Sequence, residues 1–211
     1  MKSPDQTNLT PDNIVAFLGN IFIRHGAISY LGEQVTTSEH MLQGALLAEE
    51  ANAPDALIAG VLLHDIGHYI HEFSHAAFVQ DIDDDHDKVG AALLAPFFPT
   101  MVTACVGCHV AAKRYLCATE SDYFDRLSPA SVHTLRLQGG PMSESETAKF
   151  ANNPEFESLL QVRIWDETAK VPGKKTRSFA DYAPLLEGLI GVQIAQGNCD
   201  EHTDLTFRSR G

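Results

Sequence analysis

The pair His64-Asp65, which ends the apolar segment Val61-Leu62-Leu63, constrains the fold of this chain more than any other feature. An apolar run of this kind packs into a protein core and carries the imidazole and the carboxylate inward with it. Buried polar groups cost free energy unless they find hydrogen-bonding or charged partners, and a metal ion is an economical partner for this pair. A His-Asp dipeptide alone is weakly specific, so the other ligands decide the interpretation.

The rest of the chain has the periodicity of amphipathic helices separated by short breaks. Thr36 with Glu39, and Ser143 with Glu146, have the spacing of capping boxes, and prolines open other segments. No segment alternates as a strand would. The chain is therefore predicted to be all-α, in one domain over residues 1–211 with 1–10 and 200–211 as peripheral tails. Helices are predicted at about 11–25, 36–52, 54–70, 99–117, 129–138, 143–151, 154–170 and 178–196, with another opened by His86.

The acidic balance of the chain limits its partners. There are 15 Lys and Arg against 28 Asp and Glu, a formal charge of −13, which disfavours nucleic-acid binding but leaves room for a small anion held in one basic pocket. The N-terminus lacks the apolar core of a signal peptide, and no segment approaches the roughly 18 apolar residues of a membrane span. We therefore expect a cytoplasmic protein with free thiols, no membrane attachment and no obligate protein partner.

The order of the histidines and carboxylates along the chain carries a stronger signal than the pair alone. Two other histidines, His71 and His75, compete with His86 for one position, and His86 is preferred because it opens a helix with apolar later positions. The set resembles the metal-binding signature of the HD superfamily, in its binuclear form, over roughly residues 30–166. The six residues are His40, His64, Asp65, His86, His109 and Asp166.

Four histidines and two carboxylates are too many ligands for one closed tetrahedral site. Shared between two ions, with Asp65 as the bridge, they leave open positions on the metals, as catalysis requires. The donors are all nitrogen and oxygen, which suits iron or manganese and permits zinc. The resemblance therefore implies an HD-domain helical bundle with a dinuclear metal site in its core.

The segment Cys105-Val-Gly-Cys108-His109 also fits the attachment signature of c-type haem. That interpretation is disfavoured because no export signal precedes it, the motif lies inside a predicted helix, and His109 already belongs to the six-residue set. We expect the two cysteines to be helix-packing thiols.

Binuclear HD proteins divide broadly into phosphohydrolases and mixed-valent diiron oxygenases, and several features resemble the second group. Tyr30-Leu-Gly-Glu33 precedes the first ligand helix, and His68 follows His64 by four residues, where inositol oxygenases characteristically carry Lys. The segment 109–117, HVAAKRYLC, adds to the likeness. The combination resembles the small phosphonate-degrading oxygenases of the PhnZ and TmpB type, slightly more the latter.

This resemblance implies two iron ions in an Fe(II)/Fe(III) active state, with O₂ as co-substrate. The implied reaction cleaves the C–P bond of a small organophosphonate, 1-hydroxy-2-(trimethylammonio)ethylphosphonate, to glycine betaine and phosphate. The alternative is the same reaction on the primary amine, which gives glycine. The sequence leaves the N-substituents open, with a slight preference for the trimethylated substrate that rests on resemblance.

Polar residues outside the ligand set suit the two ends of such a substrate. Lys113 and Arg163 offer charge to a phosphonate, and Ser131 and Gln138, two helical turns apart, offer neutral donors. A solvated helix face would explain Lys113 or Arg163 alone, and ordinary polar surface would explain Ser131 or Gln138 alone, but the four gain weight by appearing together.

The remaining three candidates are assigned to catalysis. Glu33 could attract the cationic end of the substrate, and His68 could hydrogen-bond to the substrate or to a metal ligand. In the family, the counterpart of Tyr30 can occupy the open iron position until substrate arrives, so Tyr30 is predicted to act as a gate.

Three other functions remain open. A metal-dependent phosphohydrolase would use the same ligands with a metal-bound hydroxide and would need no O₂. A non-catalytic metal-binding protein would be expected to have lost ligands, whereas all six are present. An oxygenase acting on a polyol is disfavoured by the basic group around Lys113 and Arg163.

Overall fold

The computed structural model describes residues 8–25, 33–70 and 85–190 of the chain. Within these ranges the backbone forms nine α-helices and no β-strand, so the all-α prediction is confirmed. Two short 3₁₀ turns, Ile66–Tyr69 and Phe124–Arg126, interrupt the series. The helices are α1 (Ile14–His25), α2 (Thr37–Glu50), α3 (Asp55–Leu63), α4 (His86–Leu94), α5 (Thr100–Thr119), α6 (Pro129–Leu137), α7 (Glu144–Ala151), α8 (Phe156–Thr168) and α9 (179–190).

Both predicted capping boxes start helices. At α2 the Thr36 side chain accepts from the Glu39 N–H at 3.2 Å, and the Glu39 carboxylate accepts from the Thr36 N–H at 2.7 Å. Ser143 and Glu146 repeat the arrangement at α7. Each box satisfies backbone donors that the first helical turn leaves without partners.

The third helix is shorter than the sequence predicts, because it ends at Leu63 and a 3₁₀ turn follows. Asp65, at φ −99° and ψ 11°, has left the helical region of the backbone. Gly67 accounts for the tight turn: a Cβ added there would lie 1.9 Å from the carbonyl oxygen of His86. The chain therefore turns directly under the start of α4, and the turn aims His64 and Asp65 at one point instead of about 100° apart.

Helix α5 is the centre of the bundle and packs against α3, α4 and α8, while α2 packs against α3 and α8. Gly60 of α3 allows a close approach, since a Cβ there would lie 2.6 Å from the Cβ of Cys105. Cys105 is fully buried in this contact, which leaves no space for a haem thioether bond. Among the helices described, none has the length and apolarity that crossing a bilayer would require.

Candidate metal centre and adjoining cleft

The six residues predicted as metal ligands come together in the core, although they are spread over 127 positions of the chain. They arrive from α2, from the end of α3, from the first residue of α4, from α5 and from α8. None is more than 6% exposed. The relative exposures are 0% for His40, 0% for His64, 1% for Asp65, 6% for His86, 4% for His109 and 1% for Asp166.

Asp65 lies in the middle, and its two carboxylate oxygens face different partners. Oδ2 lies 3.6 Å from Nε2 of His40 and 3.4 Å from Nε2 of His64. Oδ1 lies 3.5 Å from Nε2 of both His86 and His109. We call the first group site A, which also contains Asp166, and the second group site B. A carboxylate that faces two donor groups in this way has the arrangement expected of a bridge between two ions.

The second carboxylate completes site A. Oδ1 of Asp166 lies 3.2 Å from Nε2 of His40 and 3.7 Å from Nε2 of His64. Neither this oxygen nor Oδ2 of Asp65 accepts a hydrogen bond from any residue of the described ranges, although both are buried. Buried oxygens without hydrogen bonds need a cation nearby to offset their desolvation.

Backbone carbonyls set the orientation of three imidazole rings. Nδ1–H donates to the Ala169 carbonyl in His40 (3.0 Å), to the Val61 carbonyl in His64 (2.7 Å) and to the Val106 carbonyl in His109 (2.8 Å). Because a carbonyl oxygen can only accept, Nδ1 carries a proton in each ring, and Nε2 is the atom that each ring turns toward the centre.

The convergent nitrogens approach each other in pairs. Nε2 of His40 and His64 are 3.1 Å apart at site A, and Nε2 of His86 and His109 are 3.0 Å apart at site B. Two lone pairs at such a separation repel unless a positive charge lies against both. Each pair therefore has the geometry of two ligands directed at one ion.

The electrostatics of site A also favour positive charge. Burial alone would raise the pKa of Asp65 and of Asp166. The charge of His64 instead lowers the pKa of Asp65 well below its ordinary value, and Arg163 together with His64 does the same for Asp166. Burial would lower the pKa of His64, yet the two carboxylates raise it well above its ordinary value. Both carboxylates are consequently ionised near neutral pH and attract a cation.

His68, predicted as a catalytic residue, lies at the rim of site B. Its ring stacks on that of His86 with centroids 3.8 Å apart, and its Nε2 is 3.8 Å from Oδ1 of Asp65. Two overlapping groups of potential ligands thus share Asp65: one with His40 and His64, the other with His68 and His86. The donors are nitrogen and oxygen throughout, and this chemistry fits a pair of ions such as iron or manganese.

A narrow cleft opens beside the two sites, with a cavity volume of about 20 Å³. All four residues predicted to bind substrate line it: Lys113, Ser131, Gln138 and Arg163. Oε1 of Gln138 is buried there and accepts no hydrogen bond within the described ranges. Lys170 and Thr134 also line the cleft, and neither was identified from the sequence.

Lys113 is a buried cation in this cleft. It is 5% exposed, lies one turn beyond His109 on α5, and its Nζ donates to Oγ1 of Thr134 at 2.9 Å. No carboxylate of the described residues lies within ion-pair distance of it. Burial, helped by the nearby Arg163, lowers the pKa of Lys113 to about 7. A bound anion would supply the counter-charge.

Arg163, by contrast, already has protein partners. Its Nε donates to the hydroxyl of Tyr123 at 2.8 Å, and its two terminal nitrogens donate to the carboxylates of Asp166 and Glu167. Three of its five N–H groups are used in this way, and two remain. Arg163 therefore braces Asp166 of site A as well as lining the cleft.

A network around Lys170 shapes the far wall of the cleft. Lys170 Nζ donates to Oγ of Ser131 at 2.9 Å and lies 3.0 Å from Oε1 of Glu167, while Ser131 donates to Oε2 of Glu167 at 2.8 Å. Glu33, predicted to attract the substrate cation, lies 3.8 Å from the same Nζ. The predicted gate Tyr30, and the alternative ligands His71 and His75, lie outside the described residues.

Comparison with known proteins identifies the family of this chain. The family model for the HD domain matches residues 37–127. The chain is 47% identical over 190 residues to the glycine-betaine-forming (1-hydroxy-2-(trimethylamino)ethyl)phosphonate dioxygenase of Leisingera caerulea, covering 90% of this chain and 97% of the relative. It is 40% identical over 184 residues to the hydroxymethylphosphonate dioxygenase of Gimesia maris, covering 86% and 90%. An uncharacterized protein of Acanthamoeba polyphaga mimivirus is 32% identical over 179 residues, covering 79% and 77%. The chain belongs to the HD-domain family and, within it, to the phosphonate dioxygenases.

Proposed function

We propose that the protein is a diiron oxygenase that cleaves the C–P bond of 1-hydroxy-2-(trimethylammonio)ethylphosphonate and releases glycine betaine and phosphate. One observation carries the proposal: the buried Lys113, with no carboxylate partner in the described structure, faces the same cleft as the two-carboxylate, four-histidine centre. The cleft thus combines a place for an anion with a place for metals. The named activities of the two dioxygenase relatives support the same reaction class.

The reaction balances without an external electron donor. The hydroxyphosphonate and O₂ give the carboxylate, hydrogen phosphate and one proton, as the C1–P, C1–H and O–O bonds break and new C–O and P–O bonds form. The iron pair, held by the ligands of sites A and B, would supply O₂ activation and a Lewis acid for the C1 hydroxyl. The protein supplies the positioning.

The phosphonate end is the better defined in the structure. Protonated Lys113 would donate to a phosphonate oxygen and balance one of the two charges of the dianion in a site of low exposure. Gln138, at the end of α6, could add a neutral hydrogen bond from its amide, whereas the Ser131 hydroxyl donates to Glu167 and could serve the anion only by releasing that carboxylate. Arg163 has two N–H groups left for the same anion.

The cationic end is assigned to Glu33. A trimethylammonium group has no N–H to donate and binds through charge and aromatic faces. The carboxylate of Glu33 would supply that charge: it does not itself line the cleft in the described structure, but its Oε1 lies 3.8 Å from Nζ of Lys170, which does. The alternative substrate is the primary amine, which would give glycine. The name of the Gimesia maris relative gives hydroxymethylphosphonate, which has no amine, as its substrate. The trimethylammonio compound, its primary-amine analogue and hydroxymethylphosphonate are therefore the three substrates to compare.

The second alternative is a phosphohydrolase that uses the same centre to activate water.

The test is phosphate release from iron-loaded, partly reduced protein, with and without O₂. The substrates are the trimethylammonio compound, its primary-amine analogue and hydroxymethylphosphonate, with a phosphate monoester beside them. Release that requires O₂ and is fastest with the trimethylammonio compound is expected. Equal release without O₂, or turnover of the ester alone, would contradict the proposal.

A further inference from the structure

The three residues that follow α8, Ala169-Lys170-Val171, each contact a different part of the site. The carbonyl of Ala169 accepts from Nδ1 of His40, a site A ligand, at 3.0 Å. Lys170 reaches Ser131 and Glu167 in the cleft. Val171 contacts Gln43 on α2. The path of this short segment consequently affects both the metal centre and the cleft.

The contact between Gln43 and Val171 has two hydrogen bonds. Oε1 of Gln43 accepts from the backbone N–H of Val171 at 3.0 Å, and Nε2 donates to the backbone carbonyl of Val171 at 2.9 Å. Gln43 is 1% exposed, whereas Val171 is 50% exposed. A buried glutamine amide is thus used to hold the backbone of a residue whose own side chain adds little to the core.

The start of this segment is held by the preceding helix, and its end is held by α2. Helix α8 ends at Thr168, and the N–H of its C-cap residue Ala169 still donates to the Trp165 carbonyl at 2.9 Å. Residues 170 and 171 lie beyond the helix, and the two hydrogen bonds of Gln43 tie the backbone of Val171 to α2. The ligand His40 and the amide of Gln43 lie on the same helix, three residues apart, and hence on one face of α2. The two α2 side chains hold the two ends of the same three-residue segment.

We propose that Gln43 is a positioning residue for site A. By holding Val171 it adds to the hydrogen bonds from α8 that hold the Ala169 carbonyl, and this carbonyl keeps the Nδ1–H of His40 in place so that Nε2 faces the site. The inference rests on the metal centre of the proposed function and not on its substrate. Hydrogen-bond partners of metal-bound histidines act in this way: they set the tautomer and the ring orientation.

The proposal predicts an asymmetric effect. Among the site B residues, His109 donates its Nδ1–H to the Val106 carbonyl of its own helix, and none of its hydrogen bonds within the described ranges reaches residues 169–171. A loosened segment should therefore weaken site A and spare site B. A general loss of packing would weaken both sites together.

Two substitutions of similar volume test the clamp. Gln43→Met removes both hydrogen bonds and keeps the packing. Gln43→Glu keeps an acceptor for the Val171 N–H but places a carboxylate oxygen against the Val171 carbonyl. A third, Val171→Gly, loosens the segment at an exposed position without touching the core. The matched control is Ser38→Ala, which removes a hydrogen bond from the same helix to Phe22 (3.3 Å) and leaves residues 169–171 alone.

The measurement is a Co²⁺ titration of metal-stripped protein by absorbance against a competing chelator. The reference variants Asp166→Asn and His109→Ala identify the signals of sites A and B. We expect the wild type and Ser38→Ala to bind two ions, and Gln43→Met and Gln43→Glu to bind at site A about 10- to 100-fold more weakly. Val171→Gly should weaken metal binding at site A by a smaller factor. Urea unfolding of each variant reports whether the fold is intact.

Equal weakening at both sites, or unchanged affinity at site A in folded Gln43 variants, would overturn the inference, as would a wild type that binds one ion. If Gln43 variants fail to fold, Val171→Gly decides: unchanged affinity at site A rejects the positioning role, and selective weakening supports it. Because no turnover is measured, the outcome is distinguishable from failure of the proposed reaction. A hydrolase with these two metal sites would show the same asymmetry.

Discussion

Replacing Lys113 by methionine should have opposite effects on stability and on substrate binding. Methionine keeps most of the aliphatic length and removes the charge from a site that is 5% exposed. The pKa of Lys113 falls from 10.5 to about 7 on folding. At about 1.4 kcal/mol per pH unit, the charged side chain costs the folded protein up to roughly 5 kcal/mol. The variant should therefore be more stable than the wild type by several kcal/mol at pH 7.

The pH dependence of the free energy of unfolding tests the direction of this stability change independently. Between pH 7 and 10.5 the unfolded lysine binds a proton that the folded one has released, so the free energy of unfolding rises with pH through this window. Below about pH 7 both forms are protonated and the full cost is present. Above 10.5 both forms are neutral and no cost remains. The difference in stability between Lys113→Met and the wild type should shrink as pH rises from 7 toward 10.

Substrate binding should change in the other direction. A hydrogen bond to a charged group contributes about 1.5–3 kcal/mol, so loss of Lys113 should lower kcat/KM about 10- to 150-fold. Because only the protonated amine binds the dianion, wild-type kcat/KM should also fall as pH rises above about 7.

The assays are urea unfolding of chelator-treated protein across pH, and phosphate release by the iron-loaded enzyme. Lys149→Met, at an exposed position of α7, is the matched control and should leave both quantities nearly unchanged. A Lys113→Met variant that is less stable than the wild type, with kcat/KM unaltered, would refute the reasoning.

Three further predictions follow from the geometry of the centre and the cleft. Asp65→Asn should abolish binding of both metal ions, measured by metal content after gel filtration, because its two oxygens face both sites; two retained ions would exclude a bridging role. Glu33→Gln should raise KM for the trimethylammonio substrate about 10-fold and leave hydroxymethylphosphonate unaffected, in steady-state phosphate release; equal changes would remove Glu33 from cation recognition. Lys170→Met should raise KM about fivefold for both substrates, because Ser131 loses its 2.9 Å donor; a change with only one substrate would contradict this.

The convergence of the candidate metal ligands was predictable from sequence because these residues combine chemical type with position on apolar helices. His64 and Asp65 follow a run that is entirely buried, and His109 lies mid-helix, so burial carries their polar atoms inward. The capping boxes fixed the starts of α2 and α7 in the same local manner. Features of this kind can be predicted from neighbouring residues alone, because they do not depend on contacts with distant parts of the chain.

The residues that were missed depend on contacts between distant parts of the chain. Gln43 has its partner 128 positions away, on the backbone of Val171, and no side-chain pattern marks a backbone partner. Lys170 and Glu167 did leave a signal: with Arg163 and Asp166 they form the spacing of one charged helix face. The early end of α3 was missed because it depends on the close approach of Gly67 to α4.

The distribution of charge in the cleft explains how one pocket can select a zwitterionic substrate. Arg163 and Lys170 are both engaged by Glu167, and Arg163 also by Asp166, so their charges are largely balanced within the protein. Lys113 has no carboxylate within ion-pair distance among the described residues, so its charge is available to the anionic end of a ligand. The metal centre beside it can bind the hydroxyl of the same ligand only if that hydroxyl and the anion are close together, as they are on a 1-hydroxyphosphonate. A phosphate monoester need not carry a hydroxyl on a carbon close to its phosphorus. The position of Lys113 beside sites A and B therefore favours the oxygenase over the hydrolase.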